Sequence, residues 1–159
     1  MVNTCYCGKK PIYFRRYEGR YYCVSCFCKS IEKRVRKTVS QYRFIVPGDR
    51  IVVGVSGGKD SSTVLSLLHK ALHKRTDVTL QAVLIDEGIA GYRSKTKKQA
   101  EALCKKLGVP LTVYSYKKAF GKTLDQKVKP TKGKDACTHC GVARRYLLNK
   151  AARELKATK

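Results

Sequence analysis

The sequence predicts an α/β domain built on a parallel sheet and preceded by a small cysteine-bearing ribbon. Three observations predict it. From residue 50 onward, apolar strand-like runs alternate with amphipathic helical stretches, the order that yields a parallel sheet wrapped by right-handed crossovers. Two cysteine pairs fall within the first 26 residues, on either side of a turn signal. Between the two regions, Pro47-Gly48-Asp49 punctuates the chain. A length of 159 residues suits one compact domain with a small appendage, and 43% hydrophobic residues suffice for a buried core.

The ribbon, residues 1–29, opens with Cys5-Tyr6-Cys7-Gly8 and closes with Cys23-Val24-Ser25-Cys26-Phe27-Cys28. Between them, Ile12-Tyr13-Phe14 and Tyr21-Tyr22 flank Glu18-Gly19-Arg20, two short strands about a turn. Cysteine pairs carried on hairpins bring four soft thiolates toward tetrahedral spacing, the preferred donor set for structural zinc. So small a segment has almost no core, and a bound metal would supply its folding free energy. Cys5, Cys7, Cys23 and Cys26 are the expected zinc ligands. Cys28 is the substitute, because the first pair has one intervening residue where ribbons usually have two.

Phe27, Ile31, Val35 and Val39 recur every four residues between basic side chains, which predicts a basic linker helix over 30–46. Its apolar stripe reads as a docking face; Lys33, Arg34, Arg36 and Lys37 on the outer face could touch phosphates.

Residues 47–159 form the second predicted domain. Arg50 to Val55 is a buried-type strand. Residues 60–75 carry Val64, Leu65, Leu67, Leu68 and Leu72 at helical spacing. Val78 to Ile85 is a second strand, 94–107 a basic helix with Ala100, Leu103 and Leu107 inward, and Leu111 to Ser115 a third strand. A long basic loop, 116–136, leads to a helix from about Thr138 to Leu155 with Val142, Tyr146, Leu147 and Ala151 on one side. The chain contains no internal repeat.

The charge is strongly positive: 35 Lys and Arg against 11 Asp and Glu, net +24. Residues 1–46 contribute +9 and residues 47–159 contribute +15, so both regions attract polyanions. Such an excess goes beyond what solubility needs and points to nucleic acid as a partner ahead of an acidic membrane or protein surface. No apolar stretch approaches the ~20 residues that span a bilayer, which excludes an integral membrane protein. Of eight cysteines, five fall in the first 28 residues, two form a CxxC and one stands alone; without a secretory signal, the clustered ones read as metal ligands in a reducing cytoplasm rather than as a disulfide scaffold.

Ser56-Gly57-Gly58-Lys59-Asp60-Ser61 stands between the first strand and first helix of the second domain. The glycines allow a tight turn whose backbone N–H groups form a nest for an anion, and the next helix aims its positive end there. Ser56 and Ser61 suit phosphate oxygens, Lys59 neutralises them, and Asp60 can cap the helix or orient a metal such as Mg2+. The spacing is not that of a Walker loop.

This hexapeptide on a β-α turn resembles the pyrophosphate loop of the PP-loop ATPases. The cysteine ribbon, basic helix, Pro47-Gly48-Asp49, loop, Ile85-Asp86-Glu87-Gly88-Ile89 and Cys137-Thr138-His139-Cys140-Gly141-Val142 occur in the order found in TtuA-type tRNA 2-thiouridine synthetases of the TtcA/TtuA family. The resemblance covers essentially the whole chain. It implies an adenine nucleotide alpha hydrolase-like fold that cleaves ATP between its α and β phosphates and adenylates its substrate.

By that resemblance, Ser56, Gly57, Gly58, Lys59, Asp60 and Ser61 grip the ATP phosphates, the backbone around Ile85 binds adenine, and Arg144 sits near the phosphates. Cys137 and Cys140 resemble two of three family cysteines that hold a 4Fe-4S cluster, whose open iron accepts the sulfide that replaces the uridine C2 oxygen. The residues agree in part, because thiols at a helix N-terminus beside Arg144 and Arg145 ionise readily and suit iron–sulfur chemistry. A redox dithiol or a second zinc half-site remains the alternative reading of this pair. Cys104 reads as a core residue, His69 and His73 as a solvent-facing pair, His139 as a spacer, and Asp86 and Glu87 as shaping the nucleotide rim.

The family continues past the segment like Arg153–Lys159 into another strand with a catalytic acid motif, a third cluster cysteine and a second zinc site. A truncated copy, one half of a split enzyme, or a fragment is therefore expected. The function implied is ATP-dependent tRNA uridine 2-thiolation, with tRNA as partner, a ubiquitin-like carrier as sulfur donor and a second subunit or homodimer completing the site. A non-catalytic tRNA- and ATP-binding subunit is the alternative, and a PP-loop ligase acting on a small molecule is disfavoured by the charge.

Overall fold

The computed structural model describes residues 4–89, 91–128 and 136–159, without the side chains of residues 92, 93, 127, 128 and 136–139. The chain divides into two compact units, Met1–Ile45 and Val46–Lys159.

In the first unit, strands β1 (Tyr13–Arg15) and β2 (Arg20–Tyr22) pair antiparallel with Phe14 opposite Tyr21. A single 3-10 turn, Arg16–Glu18, joins them, and Gly19 at φ 61° closes it, a left-handed conformation that glycine adopts without strain. Arg15 is buried yet fully partnered. Its guanidinium lies 3.1 Å from the Glu18 carboxylate, 2.9 Å from the Ser30 hydroxyl and 4.6 Å from the centre of the Tyr22 ring. Around it, Cys5, Tyr22, Cys23 and Cys26 form a small core with Phe27 against it.

Helix α1 (Val24–Gln41) begins earlier than its apolar stripe indicates, with Cys23 as N-cap. A first helical turn needs only a cap, not a periodic apolar residue, so Cys26 and Cys28 lie on the helix itself. Phe27, Ile31, Val35 and Val39 are half-buried along one side.

In the second unit, β3 (Arg50–Gly54), β4 (Thr79–Asp86) and β5 (Leu111–Ser115) form a parallel sheet in the order β3-β4-β5. Ala82, Val83, Leu84 and Ile85 of the central strand are buried consecutively, as expected of a strand covered on both faces. Helices α2 (Lys59–Leu72) and α3 (Tyr92–Leu107) bury Leu65, Leu72, Ala100 and Cys104.

The stretch 116–136, expected as a loop, contains two short helices, α4 (Tyr116–Phe120) and α5 (Leu124–Val128). Tyr116 and Leu124 bury into one cluster with Val83, Ile85, Leu147 and Ala151, and that burial orders the segment despite its lysines. Residues 129–135 lie outside the described residues. The four residues expected on one side of helix α6 (Ala136–Glu154) divide: Leu147 and Ala151 are buried, but Val142 is 57% and Tyr146 51% exposed. Tyr146 precedes Leu147 by one residue, roughly 100° around a helix of 3.6 residues per turn. On α2, Val64 is likewise exposed beside buried Leu65.

The last residues lie along β3. Val52 N–H donates to the Lys159 carbonyl at 3.0 Å, and Thr158 N–H donates to the Arg50 carbonyl at 2.8 Å. The Thr158 hydroxyl also donates to buried Asp49 at 2.7 Å, whose other oxygen accepts the Val46 N–H at 2.8 Å.

Candidate functional site

The hexapeptide from Ser56 to Ser61 leaves the carboxyl end of β3 and enters α2 through Gly58, the helix N-cap. Val55 N–H still bonds the Val83 carbonyl at 2.7 Å, so the sheet holds the residue just before the loop. The Ser56 and Ser61 hydroxyls lie 3.0 Å apart, and the Ser61 hydroxyl accepts the Ser56 N–H at 3.1 Å. Gly57 has φ +79°, and a Cβ there would lie 2.0 Å from the Thr96 carbonyl oxygen. Only glycine fits between loop and α3. Lys59 and Asp60 are 89% exposed, ammonium and carboxylate 3.2 Å apart, and reach solvent at the positive end of α2.

Beside the loop, Gly54, Val55, Ser56, Val83, Ile85, Arg144 and Leu148 line a cavity of about 330 Å³. Two sheet strands and α6 thus meet the loop at the carboxyl edge of the sheet, where open parallel sheets hold ligands. Arg144 is fixed from behind. Its Nε and one terminal nitrogen lie 2.9 and 2.8 Å from one oxygen of Glu87, whose side chain is fully buried. Burial opposes the Arg144 charge, but the Glu87 carboxylate outweighs it and holds the guanidinium above the usual arginine range. The same nitrogen donates to Cys140 Sγ at 3.1 Å, and the Tyr116 hydroxyl donates to the Cys140 carbonyl at 2.8 Å.

In the first unit, one ligand atom each from Cys5, Cys7, Cys23 and Cys26 lies within 4.8 Å of all the others. Cys7 Sγ is 3.5 Å from Cys5 Sγ and 3.6 Å from Cys23 Sγ. A tetrahedral zinc site with Zn–S near 2.3 Å separates its sulfurs by roughly 3.8 Å, so this donor set fits zinc in number, softness and spacing. Burial opposes the Cys5 thiolate, yet backbone N–H groups of Cys7 and Cys23 bring it down to about 6. The Cys26 backbone likewise lowers Cys23. Tyr6 lowers Cys26, but burial and the surrounding sulfurs outweigh it and push that thiol up to about 11. Cys28 is exposed and outside the group.

Residues 28–156 match the PP-loop domain family. The chain belongs to the PP-loop family. It is 36% identical over 157 residues to a probable sulfurtransferase of Methanocaldococcus jannaschii, covering 95% of this chain and 46% of the relative. It is 41% identical over 143 residues to cytoplasmic tRNA 2-thiolation protein 1 of Caenorhabditis briggsae, covering 89% and 38%. The chain therefore spans less than half the length of these curated relatives. Its fold matches the U34-tRNA thiolase NcsA from Methanococcus maripaludis, a structure with its 4Fe-4S cluster, at a TM-score of 0.85 and 33% identity over 99% of this chain and 52% of that one. An NH3-dependent NAD synthetase from Campylobacter jejuni shares the fold alone, at a TM-score of 0.57 and 20% identity over 81% and 53%.

Within this PP-loop domain, the structure brings together Ser56, Ile85 and Arg144, three of the residues singled out in the sequence, around one cavity. Cys140 joins them through Arg144; Cys137 stands in the first turn of α6, and its side chain lies outside the described residues, as does that of His139. Cys104 is a buried core thiol, pushed up by that burial. The His69 and His73 rings lie 6.3 Å apart, tilted by 33°, without joining any metal-spaced group among the described residues.

Sequence reasoning placed Glu87 on the rim of the site, whereas it is the buried anchor of Arg144. It also missed Thr96, whose carbonyl confines Gly57 and which lines, with Lys59, Ser62, Lys95 and Gln99, a second depression of about 670 Å³. Both are long-range relationships, invisible to local spacing.

Proposed function

We propose that the chain binds ATP through its PP-loop and is the ATP-binding portion of a cytoplasmic enzyme that 2-thiolates a tRNA uridine. The cavity shared by Ser56, Ile85 and Arg144 carries this reading. It is lined by Ser56 of the loop and Arg144 together with the apolar Val55, Val83, Ile85 and Leu148, so it offers both polar and apolar surface to a nucleotide. Relatives named for tRNA 2-thiolation and the net charge of +24 support tRNA as the substrate.

The chemistry divides into two displacements. The uridine C2 oxygen attacks the α-phosphorus, and pyrophosphate leaves into the nest formed by the loop N–H groups, Ser56, Ser61 and Lys59. The positive end of α2 stabilises that charge without reorganising. Asp60, exposed at the loop beside Lys59, would orient Mg2+ on the phosphates once Lys59 turns to them. A sulfur nucleophile then adds at C2 and AMP departs with the oxygen. Arg144, braced by Glu87, offers a fixed cation to the phosphates.

Cys5, Cys7, Cys23 and Cys26 would hold zinc and organise the first unit. Cys137 and Cys140, three residues apart in the first turns of α6, would supply two thiolate ligands to a 4Fe-4S cluster, and the remaining ligands would come from outside this pair. Such a cluster, when bound, supplies a site that carries the sulfur. A non-catalytic tRNA- and ATP-binding subunit of a split enzyme is the second reading. A ubiquitin-like sulfur carrier and a second subunit or second copy are the proposed partners.

Calorimetry with ATP tests the core of the reading: the wild-type chain binds, and Lys59→Ala weakens binding about tenfold or more. Absence of heat at millimolar ATP from folded, zinc-loaded protein overturns it. Anaerobic reconstitution with iron and sulfide, followed by ATP and unmodified tRNA, then separates the two readings. Thiolated uridine from this chain alone establishes the enzyme; thiolation only with an added partner establishes the split form.

A further inference from the structure

We propose that Tyr42, Arg43 and Phe44 form a stacking platform for an unpaired base of single-stranded RNA, with the basic face of α1 meeting the flanking phosphates. The inference rests on the tRNA reading above and names a surface for it.

Helix α1 closes with Arg43 N–H on the Ser40 carbonyl at 3.2 Å and Phe44 N–H on the Val39 carbonyl at 3.0 Å. This reversal requires a left-handed residue, a position that glycine fills most easily. Here Arg43 occupies it at φ 48°. The strained position carries a charged side chain between two aromatic neighbours. The Tyr42 and Phe44 rings stack with centroids 5.5 Å apart and planes 22° apart. They are nevertheless 61% and 53% exposed, so the pair forgoes the burial that normally rewards such rings and leaves ring face open to solvent.

The surroundings favour a polyanion over an apolar partner. From Lys33 to Phe44 the chain has five basic residues and no acidic one, and Lys33, Arg36, Lys37 and Arg43 are all exposed. Aromatic faces among cations are what single-stranded nucleic acid recognises: bases extend the stack while phosphates meet the charges. Helix α6 provides an internal comparison. It closes with Lys156 at φ 49° through the same pair of bonds, but its neighbours are Leu155 and Ala157. A left-handed cation alone is thus one way to end a helix here; the exposed aromatic bracket is particular to 42–44.

The full chain, titrated with a stem-loop RNA, a duplex RNA and unmodified tRNA, tests the platform. The chain has no tryptophan, so Tyr42→Trp reports stacking directly: its emission is quenched by the stem-loop and not by the duplex. Replacing both rings by leucine weakens stem-loop binding about tenfold, with duplex binding retained. Arg43→Gly raises the melting temperature by relieving the left-handed arginine, yet weakens stem-loop binding and lowers the salt slope by about 1. Lys156→Gly raises the melting temperature and leaves RNA binding unchanged. Unquenched indole emission from the Tyr42→Trp variant at saturating stem-loop, or equal loss of duplex and stem-loop binding, overturns the platform while the tRNA reading stands. Emission that shifts with protein concentration in the absence of RNA assigns the rings to self-association and also overturns it. Failure of the wild-type chain to bind tRNA at all defeats both.

Discussion

The guanidinium of Arg144 lies 2.8 Å from the carboxylate of Glu87, and the acid is fully buried while the base remains 48% exposed. The half-exposed cation is thus anchored by a hidden anion, and the same guanidinium nitrogen also donates to Cys140 Sγ. Removing the cation strands a buried charge, whereas neutralising the acid leaves a polar contact. Arg144→Met is expected to destabilise the second unit by about 3 kcal/mol and Glu87→Gln by less, since one-sided loss is the costly change. Urea unfolding of both single variants and the double variant measures this. A double variant as unstable as the sum of the two singles would show that the pair is not coupled.

The contact between Gly57 and Thr96 separates two adjacent glycines. Gly57→Ala places a methyl 2.0 Å from a carbonyl oxygen at positive φ and should cost about 2 kcal/mol or more. Gly58→Ala meets nothing closer than the Ser56 hydroxyl at 3.4 Å and should stay within about 1 kcal/mol. Thermal melts of the two variants, followed by ATP calorimetry, would reveal equal losses if the clamp on α3 were unimportant.

Chelation should unfold the hairpin of the first unit and spare the second, because the four clustered thiols replace an apolar core there. Backbone amide spectra before and after a zinc chelator provide the measurement. Cys26→Ser should lower the bound zinc well below one equivalent, while Cys28→Ser, exposed and outside the cluster, should leave it intact. Loss of metal in the Cys28 variant would redraw the ligand set.

Asp49 makes the stability of the second unit depend on acid. The Val46 N–H, then the Thr158 hydroxyl, hold its carboxyl below the ordinary 3.8. A carboxylate lowered in the folded state contributes stability above its unfolded value, and that contribution disappears as pH falls through the folded value. Asp49→Asn should therefore lower the melting temperature by roughly 5 °C at pH 7. Wild type and variant should converge once the pH lies below the folded value, and a gap that persists there would exclude this linkage.

Much of the fold was legible because its signals are local. Alternating apolar runs marked β3, β4 and β5, and their order alone implies parallel pairing. The hexapeptide's glycines and serines marked the tight turn between β3 and α2, and the paired cysteines marked the thiol cluster. The misplacements share one origin. Tyr116 and Leu124 order a lysine-rich stretch by burying against Val83 and Ile85, a benefit that no window around residue 120 contains. Val142 and Tyr146 match the apolar spacing of the core side as well as Leu147 does, since periodicity tolerates a turn of one residue about the helix axis.

Residue types and short spacings by themselves determined that this chain has a phosphate-type loop after a buried strand, a thiol quartet near its start and a polyanion-seeking charge. These depend on neighbours a few bonds apart, whose geometry covalent structure constrains. Tertiary structure alone decided that Glu87 braces Arg144, that Thr96 forbids a side chain at Gly57, and that Ser56 and Ile85 share a cavity with Arg144, far along the chain from both. Such relationships arise when packing closes the sheet under its helices and brings distant groups within hydrogen-bonding range, and only the folded chain selects which ones meet.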